Sequence, residues 1–130
     1  MNKEVIKIKL FDENYDCYLN IGRYQNNNRL YLGLDTKEEP FSDITINLPE
    51  YPCVDDYTIF VNGDVSTDVK KQLEKCGILS TYLYSVNYNL GNYDCYSVNM
   101  EKLKYYDPVG FEKANLKIDI DKDLEADIKI

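Results

Sequence analysis

The chain has 130 residues, 44% hydrophobic and 29% charged, the balance of one globular domain that can bury a core without staples. It carries a net charge of −8 and thirteen tyrosines, with neither histidine nor tryptophan. Without histidine there is no Ser-His or Cys-His nucleophile, no imidazole base and no His-ligated zinc.

The elements follow from hydrophobic periodicity. Residues 5–11 alternate Ile6, Ile8 and Leu10 against Lys7 and Lys9, the period of a half-buried strand. An Asp12-Glu13-Asn14 turn leads into a second strand, 15–21, with Tyr15, Cys17, Leu19 and Ile21 on one face. The polar turn 25–28 precedes a third strand at 29–34, and Ile44, Ile46 and Leu48 mark a fourth at 41–48. Pro49 and Pro52 break the ladder, since neither donates a backbone hydrogen bond. A fifth strand at 55–62 carries Tyr57, Ile59 and Val61. The main helix is predicted at 67–76, with Ser66 or Thr67 as cap, Asp68 at its positive end and Gly77 as stop. Val69, Leu73 and Cys76 form its apolar stripe. The run 81–90 alternates Tyr82, Tyr84, Val86, Tyr88 and Leu90, and a Gly91-Asn92 hairpin turn returns the chain along 93–99. That register sets Tyr88 opposite Cys95 and Asn87 opposite Tyr96. Asn99 caps a short helix at 100–106, and Asp107-Pro108 starts a further helical turn through Phe111. Leu116, Ile118 and Ile120 suggest a last strand. The predicted fold is α+β: a single domain, 1–130, with a mainly antiparallel, curved sheet of five to seven strands, one main helix and one short helix.

The four cysteines, Cys17, Cys53, Cys76 and Cys95, contain no Cys-x-x-Cys pair, which argues against zinc or thioredoxin-like chemistry. The opening residues are interrupted by charge at Lys3, Glu4, Lys7 and Lys9, unlike a secretory leader. Reduced thiols and a cytoplasmic location are therefore expected. No apolar run approaches the ~20 residues of a membrane span. The tail Asp119-Ile-Asp-Lys-Asp123 opens like a calcium loop, but Leu124 stands where that loop needs Gly and Ile130 where it needs Glu. Adjacent acids such as Glu38-Glu39 and Asp55-Asp56 point apart in an extended chain and make poor acid/base pairs. No catalytic residue, metal site or cofactor is predicted, and the chain is read as non-enzymatic.

Charge points instead to binding. Residues 35–74 hold ten acids against three lysines, a net −7, whereas 1–34 come to +1, 75–115 to zero and 116–130 to −2. This bias disfavours nucleic acid and anionic membrane as direct ligands and favours a basic protein surface. Glu38, Glu39 and Glu50, beside Pro40 and Pro49, are the most accessible candidates, followed by Asp55 and Asp56. A body of this size is roughly 36 Å across, a length over which duplex DNA carries about 20 phosphates. Whole-molecule DNA mimicry therefore fits poorly, and a local acidic patch fits better. A second candidate surface is the tyrosine-rich hairpin, with Tyr82, Tyr84, Tyr88 and Tyr96. Single-strand base stacking there would need nearby cations, and none lies between Lys75 and Lys102. Tyrosine mixed with carboxylate suits a protein interface.

The segment from Asn87 to Asn99, followed by Glu101 to Phe111, resembles the end of a bacterial family known as domain of unknown function 4313. The likeness covers about residues 41–113, and its most specific part is the Leu-x-x-x-Asp-Pro-x-Gly-Phe ending at Leu103–Phe111. Relatives carry a Pro-Thr-Gly-like turn where this chain has Ser80-Thr81-Tyr82. The resemblance brings no catalytic residue. It implies a setting on conjugative elements, prophages and plasmids. The expected function is that of an anti-defence inhibitor of the anti-CRISPR type, occluding a basic nucleic-acid-binding surface of an RNA-guided nuclease such as Cas9. The alternative is an accessory interaction module for transfer or regulation of the mobile element.

Overall fold

A computed structural model describes residues 3–51 and 55–118. Cys53 and the tail from Asp119, including the acidic run and Ile120, lie outside the described residues. The fold is α+β, but its strands form two antiparallel sheets of four, not one sheet of five to seven. The first has the order β1 (Ile6–Leu10), β2 (Glu13–Arg23), β3 (Leu30–Asp35), β4 (Pro40–Asp43). In the second, β5 (Thr45–Ile46) pairs with β6 (Thr58–Val61), which lies beside β8 (Gly91–Val98), and β7 (Leu79–Tyr88) forms the far edge. The strand expected over 41–48 is broken at Ile44, where the chain passes between sheets. The Ile44 N–H bonds the Leu32 carbonyl at 2.9 Å, while its own carbonyl accepts from Asn62 N–H at 2.8 Å. Buried Thr45 fixes the crossing: its Oγ1 accepts from Leu32 N–H at 3.2 Å and meets the Tyr24 hydroxyl at 2.9 Å.

Helix α1 (Thr67–Lys75) has Ser66 as N-cap, Oγ accepting from Val69 N–H at 3.2 Å, and ends on Gly77 at φ 91°. The Ile78 N–H closes that end by bonding the Leu73 carbonyl at 3.1 Å, with Leu73 and Ile78 both buried. Helix α2 (Met100–Tyr106) is capped by Asn99, and α3 (Pro108–Lys113) by Asp107. The last strand expected from Leu116, Ile118 and Ile120 runs past the described residues; within them, 116–118 form no strand and Leu116 closes the helix end. Asn115 takes φ 57° and Leu116 N–H bonds the Phe111 carbonyl at 3.2 Å. The buried Leu116 side chain belongs to the end of a helix.

One core lies between the sheets and the helices, built from Ile8, Leu19, Leu32, Leu34, Leu73 and Leu103 among others. A smaller cluster of Leu48, Phe60 and Cys95 sits on the other face of the second sheet, against Tyr51, Val86, Tyr88 and Tyr93. The first sheet is joined through β2. Its first half pairs with β1 through Cys17, but its second half pairs only with β3, leaving one edge bare. Side chains cover that edge: Lys3 Nζ bonds the Leu19 carbonyl at 2.9 Å, and Asp107 Oδ2 accepts from Ile21 N–H at 3.0 Å. Arg23 Nε reaches the Ala114 carbonyl at 2.7 Å.

Asp107 is fully buried, its other oxygen accepts from Gly110 N–H at 3.1 Å, and Lys3 Nζ lies 3.8 Å away. A Cβ on Gly110 would overlap Asp107 Oδ2 and lie 3.1 Å from the Ile21 carbonyl. The Asp-Pro-x-Gly-Phe sequence thus has a packing account: Asp joins a helix cap to a strand edge, Pro starts the helix, Gly permits the approach and Phe111 enters the core. Asp107→Ala leaves a buried N–H at Ile21 and a part-buried one at Gly110 without partners and should cost about 3 kcal/mol. Gly110→Ala should cost about 2 kcal/mol by overpacking. Thermal unfolding of both variants should show midpoints lowered by at least about 5 °C. A change under about 1 °C for either would contradict this account.

Candidate functional site

Among the described residues, the longest stretch of exposed apolar and aromatic surface lies on β7. Its hairpin with β8 turns at Asn89-Leu90, two residues before the expected Gly91-Asn92, with the positive φ of 52° on Asn89. Asn tolerates that conformation through its short polar side chain, so the glycine was a misleading signal. Tyr88 therefore pairs with Gly91 and Asn87 with Asn92, correcting the expected pairings with Cys95 and Tyr96. The register also shifts at Ser80 and Leu83, which have no partners opposite. Ser80-Thr81-Tyr82 is thus a bulged strand and not a turn.

The Leu83 bulge separates the tyrosines that strict alternation had put on one face. Tyr82 pairs with Tyr96 and looks toward α1, whereas Tyr84 pairs with Cys95 and shares the opposite face with Val86 and Tyr88. Side-chain exposure persists through the shift: Tyr82 is 51% exposed, Leu83 43% and Tyr84 47%. Leu90 at the tip is fully exposed, while Tyr96 is buried.

Tyr82 is exposed but held. Its ring meets Tyr96 edge-on, centroids 5.7 Å apart, and its hydroxyl lies 2.7 Å from Ser85 Oγ. Ser85 Oγ donates to Asp94 Oδ1 at 2.7 Å, and Asp94 Oδ2 accepts from Lys70 Nζ of α1 at 2.7 Å. The Lys70 hydrogen bond, helped by Ser85, lowers the Asp94 pKa below the usual carboxylate value. A chain of polar groups therefore runs from α1 to the exposed ring. On the opposite face the Tyr88 hydroxyl donates to Glu50 at 2.7 Å, which raises the tyrosine pKa, and Tyr51 donates from its hydroxyl to the Asn87 carbonyl at 2.5 Å.

The five candidate acids do not form one patch. Glu38 and Glu39 lie in the turn between β3 and β4, where Thr36 N–H bonds the Glu39 carbonyl at 2.9 Å. Asp56 forms a two-point pair with Arg23, at 2.8 and 3.0 Å, which ties it to the Leu30 end of β3. Leu30 and Asp35 are five residues apart on β3, about 17 Å at strand rise. Asp55 caps its own turn, Oδ1 accepting from Tyr57 N–H at 2.9 Å, and Glu50 sits beside Tyr88. Glu38, Glu39, Glu50 and Asp55 are exposed, and Asp56 is a structural partner of Arg23.

An aromatic that the sequence reading missed is Phe11. It and Asp12 form the turn between β1 and β2, at φ 52° and 64°, and the ring is exposed. The polar Asp12-Glu13-Asn14 run had drawn the predicted turn forward. Phe11 borders an open groove of about 560 Å³ with Lys9, Lys71 and Lys75.

No three Cys, Asp or Glu residues come close enough to hold a metal ion among the described residues. Cys17 and Cys76 are free thiols, and burial pushes the Cys17 thiol up to about 11. No helix among the described residues is long and apolar enough to cross a membrane. The Domain of unknown function (DUF4313) family model matches residues 18–118.

The chain belongs to this family. The match reaches beyond the 41–113 stretch carrying the resemblance and takes in both partners of the Asp107–Ile21 contact. No curated protein and no solved structure matches the chain.

The depressed Asp94 pKa has a pH consequence. Its ion pair stabilises the hairpin fully above the ordinary value of 3.8, and that contribution is lost as pH falls through the lowered folded-state pKa. Asp94→Asn should therefore cost about 1 kcal/mol near neutrality and converge with the wild type in strong acid. Denaturant melts of both proteins across that range check this, and a gap that widens in acid would contradict it.

Proposed function

We propose that the chain is a non-enzymatic binding protein that uses the β7–β8 hairpin to dock on a basic surface of a partner protein. The observation carrying this reading is Tyr82, half-exposed yet fixed through Ser85, Asp94 and Lys70. A large aromatic already ordered in the free protein loses little entropy on binding, which suits an interface anchor. Leu83 and Tyr84 extend the surface, and the net charge of −8 favours a basic partner. Within the mobile-element setting implied by the family resemblance, the first partner class to examine is an RNA-guided nuclease. Its nucleic-acid groove offers the basic surface, so occupying that groove would make the chain an anti-defence inhibitor. An accessory module for element transfer or regulation would use the same hairpin on a different partner.

The test is to capture the partner from a bacterial host, assay a panel of RNA-guided nucleases, and compare two variants of equal melting temperature. Tyr82→Ala with Leu83→Ala should weaken binding about 30-fold, near 2 kcal/mol. Glu38→Gln with Glu39→Gln should mainly slow association and flatten its salt dependence, since exposed charges beyond ~8 Å are screened. Inhibition of a nuclease assigns the anti-defence role, whereas a captured partner with no inhibition favours the accessory role. Full affinity in the Tyr82/Leu83 variant would overturn the assignment of this surface.

A further inference from the structure

The sheet edges are not equally open. Gln72 of α1 closes the β1 edge, its side chain accepting from Lys9 N–H at 2.8 Å and donating to the Lys9 carbonyl at 2.8 Å. β4 is four residues long with Pro40 and Asp43 at its ends, and β5 has only two residues. These are ordinary means of blunting an edge. β7 differs: it spans ten residues, contains neither charge nor proline, and no described strand pairs with its outer side. Beyond the Leu83 bulge the register runs without a break from Tyr84 to Tyr88. The Asn87 carbonyl faces away from β8 and already accepts from the Tyr51 hydroxyl, which an added strand must displace. By alternation along an antiparallel ladder, the Asn87 N–H and the Ser85 N–H and carbonyl face the same way. No hydrogen bond from the described residues satisfies those three groups on that side.

We propose that residues 83–88 receive an extended segment of the partner as a fifth strand of the second sheet, uncharged along the ladder and basic at both ends. This rests on reading the chain as a protein-binding module. The chemistry of the ends follows from the acids near the tyrosines at the two ends of this stretch. Exposed Glu50 sits at Tyr88, and exposed Glu74 reaches the Tyr96 hydroxyl at 3.4 Å, next to the Tyr82 ring. Tyr82 and Tyr88 are six residues apart on one strand, about 20 Å at strand rise. A matching segment therefore carries Lys or Arg about six or seven residues apart. Main-chain hydrogen bonds would supply the affinity and the two carboxylates the preference for basic ends. A second copy of this chain is the poorer occupant, since two bodies of net −8 would have to meet edge to edge.

The probe is an eight-residue peptide, Lys-Val-Thr-Val-Tyr-Val-Thr-Lys, with its central Tyr replaced by Pro in one control and both Lys by Glu in another. The expected result is saturable binding of the Lys-ended peptide, with both controls at least about ten-fold weaker. Asn87→Pro removes one outward N–H and should weaken binding about ten-fold. Leu83→Lys, at an exposed position that leaves the core untouched, should do the same by charge if Asn87→Pro fails to fold. Binding unchanged in the folded variants, equal binding of either control, or no binding at all would overturn strand addition. So would a dimer by sedimentation that Asn87→Pro dissociates. The docking proposal is judged separately: a captured partner that still depends on Tyr82 and Leu83 while the peptide does not bind leaves the hairpin surface standing and removes only the added strand.

Discussion

A buried carboxylate, Asp107, organises the part of the fold on which everything else is mounted. The second half of β2 has strand partners on one side only, and a bare sheet edge inside a protein leaves backbone groups unsatisfied. Asp107 meets that need and caps α3 with its second oxygen, while Lys3 lies close to the charge. One side chain thereby fixes the position of the C-terminal helices against the first sheet. A charge buried in this way is costly unless its partners are all present, so the geometry at Ile21, Gly110 and Lys3 tolerates little change.

The second sheet is built on the opposite plan. Its inner face, with Ile59, Val61 and Val98, completes the core, while the β7–β8 hairpin extends to an exposed tip at Leu90. An isolated two-stranded ribbon is marginal in water, and this one is braced on both faces. Lys70 and Glu74 of α1 reach Asp94 and Tyr96 on one side, while Tyr51 and Glu50 reach Asn87 and Tyr88 on the other. Arg29 holds that second brace by donating to the Leu48 carbonyl at 2.8 Å and the Tyr51 carbonyl at 2.5 Å. The ribbon is therefore stiff where it is exposed, which is the combination that makes an interface inexpensive to form in entropy.

Local signals were legible in the sequence and long-range ones were not. The three helix starts were readable because a cap and a dipole act within one turn: Ser66, Asn99 and Asp107 each bond an N–H three residues on. Strand positions were readable to within a few residues from alternation. Which sheet a strand joins depends on pairing across the chain, so the break at Ile44, bonded to Leu32 on one side and Asn62 on the other, left no local mark. Bulges were equally silent. One unpaired residue at Leu83 moved Tyr82 and Tyr84 to opposite faces and divided the tyrosine surface. The negative segment 35–74 was visible as charge, yet its acids were scattered by topology and Asp56 was claimed by Arg23. Asp107 stood out as a helix cap, and its second bond, to a strand 86 residues earlier in the chain, could not be inferred.

The central claim is that binding runs through the hairpin and not through the acids of the turn between β3 and β4. Hydrogen exchange on the chain alone and on its captured complex tests it most directly, because amide protection reports where a partner orders or covers the backbone. The account predicts slowed exchange across β7, strongest at residues 83–88, with the 36–43 turn unchanged. Protection concentrated at residues 36–43, with β7 exchanging as in the free protein, would contradict it.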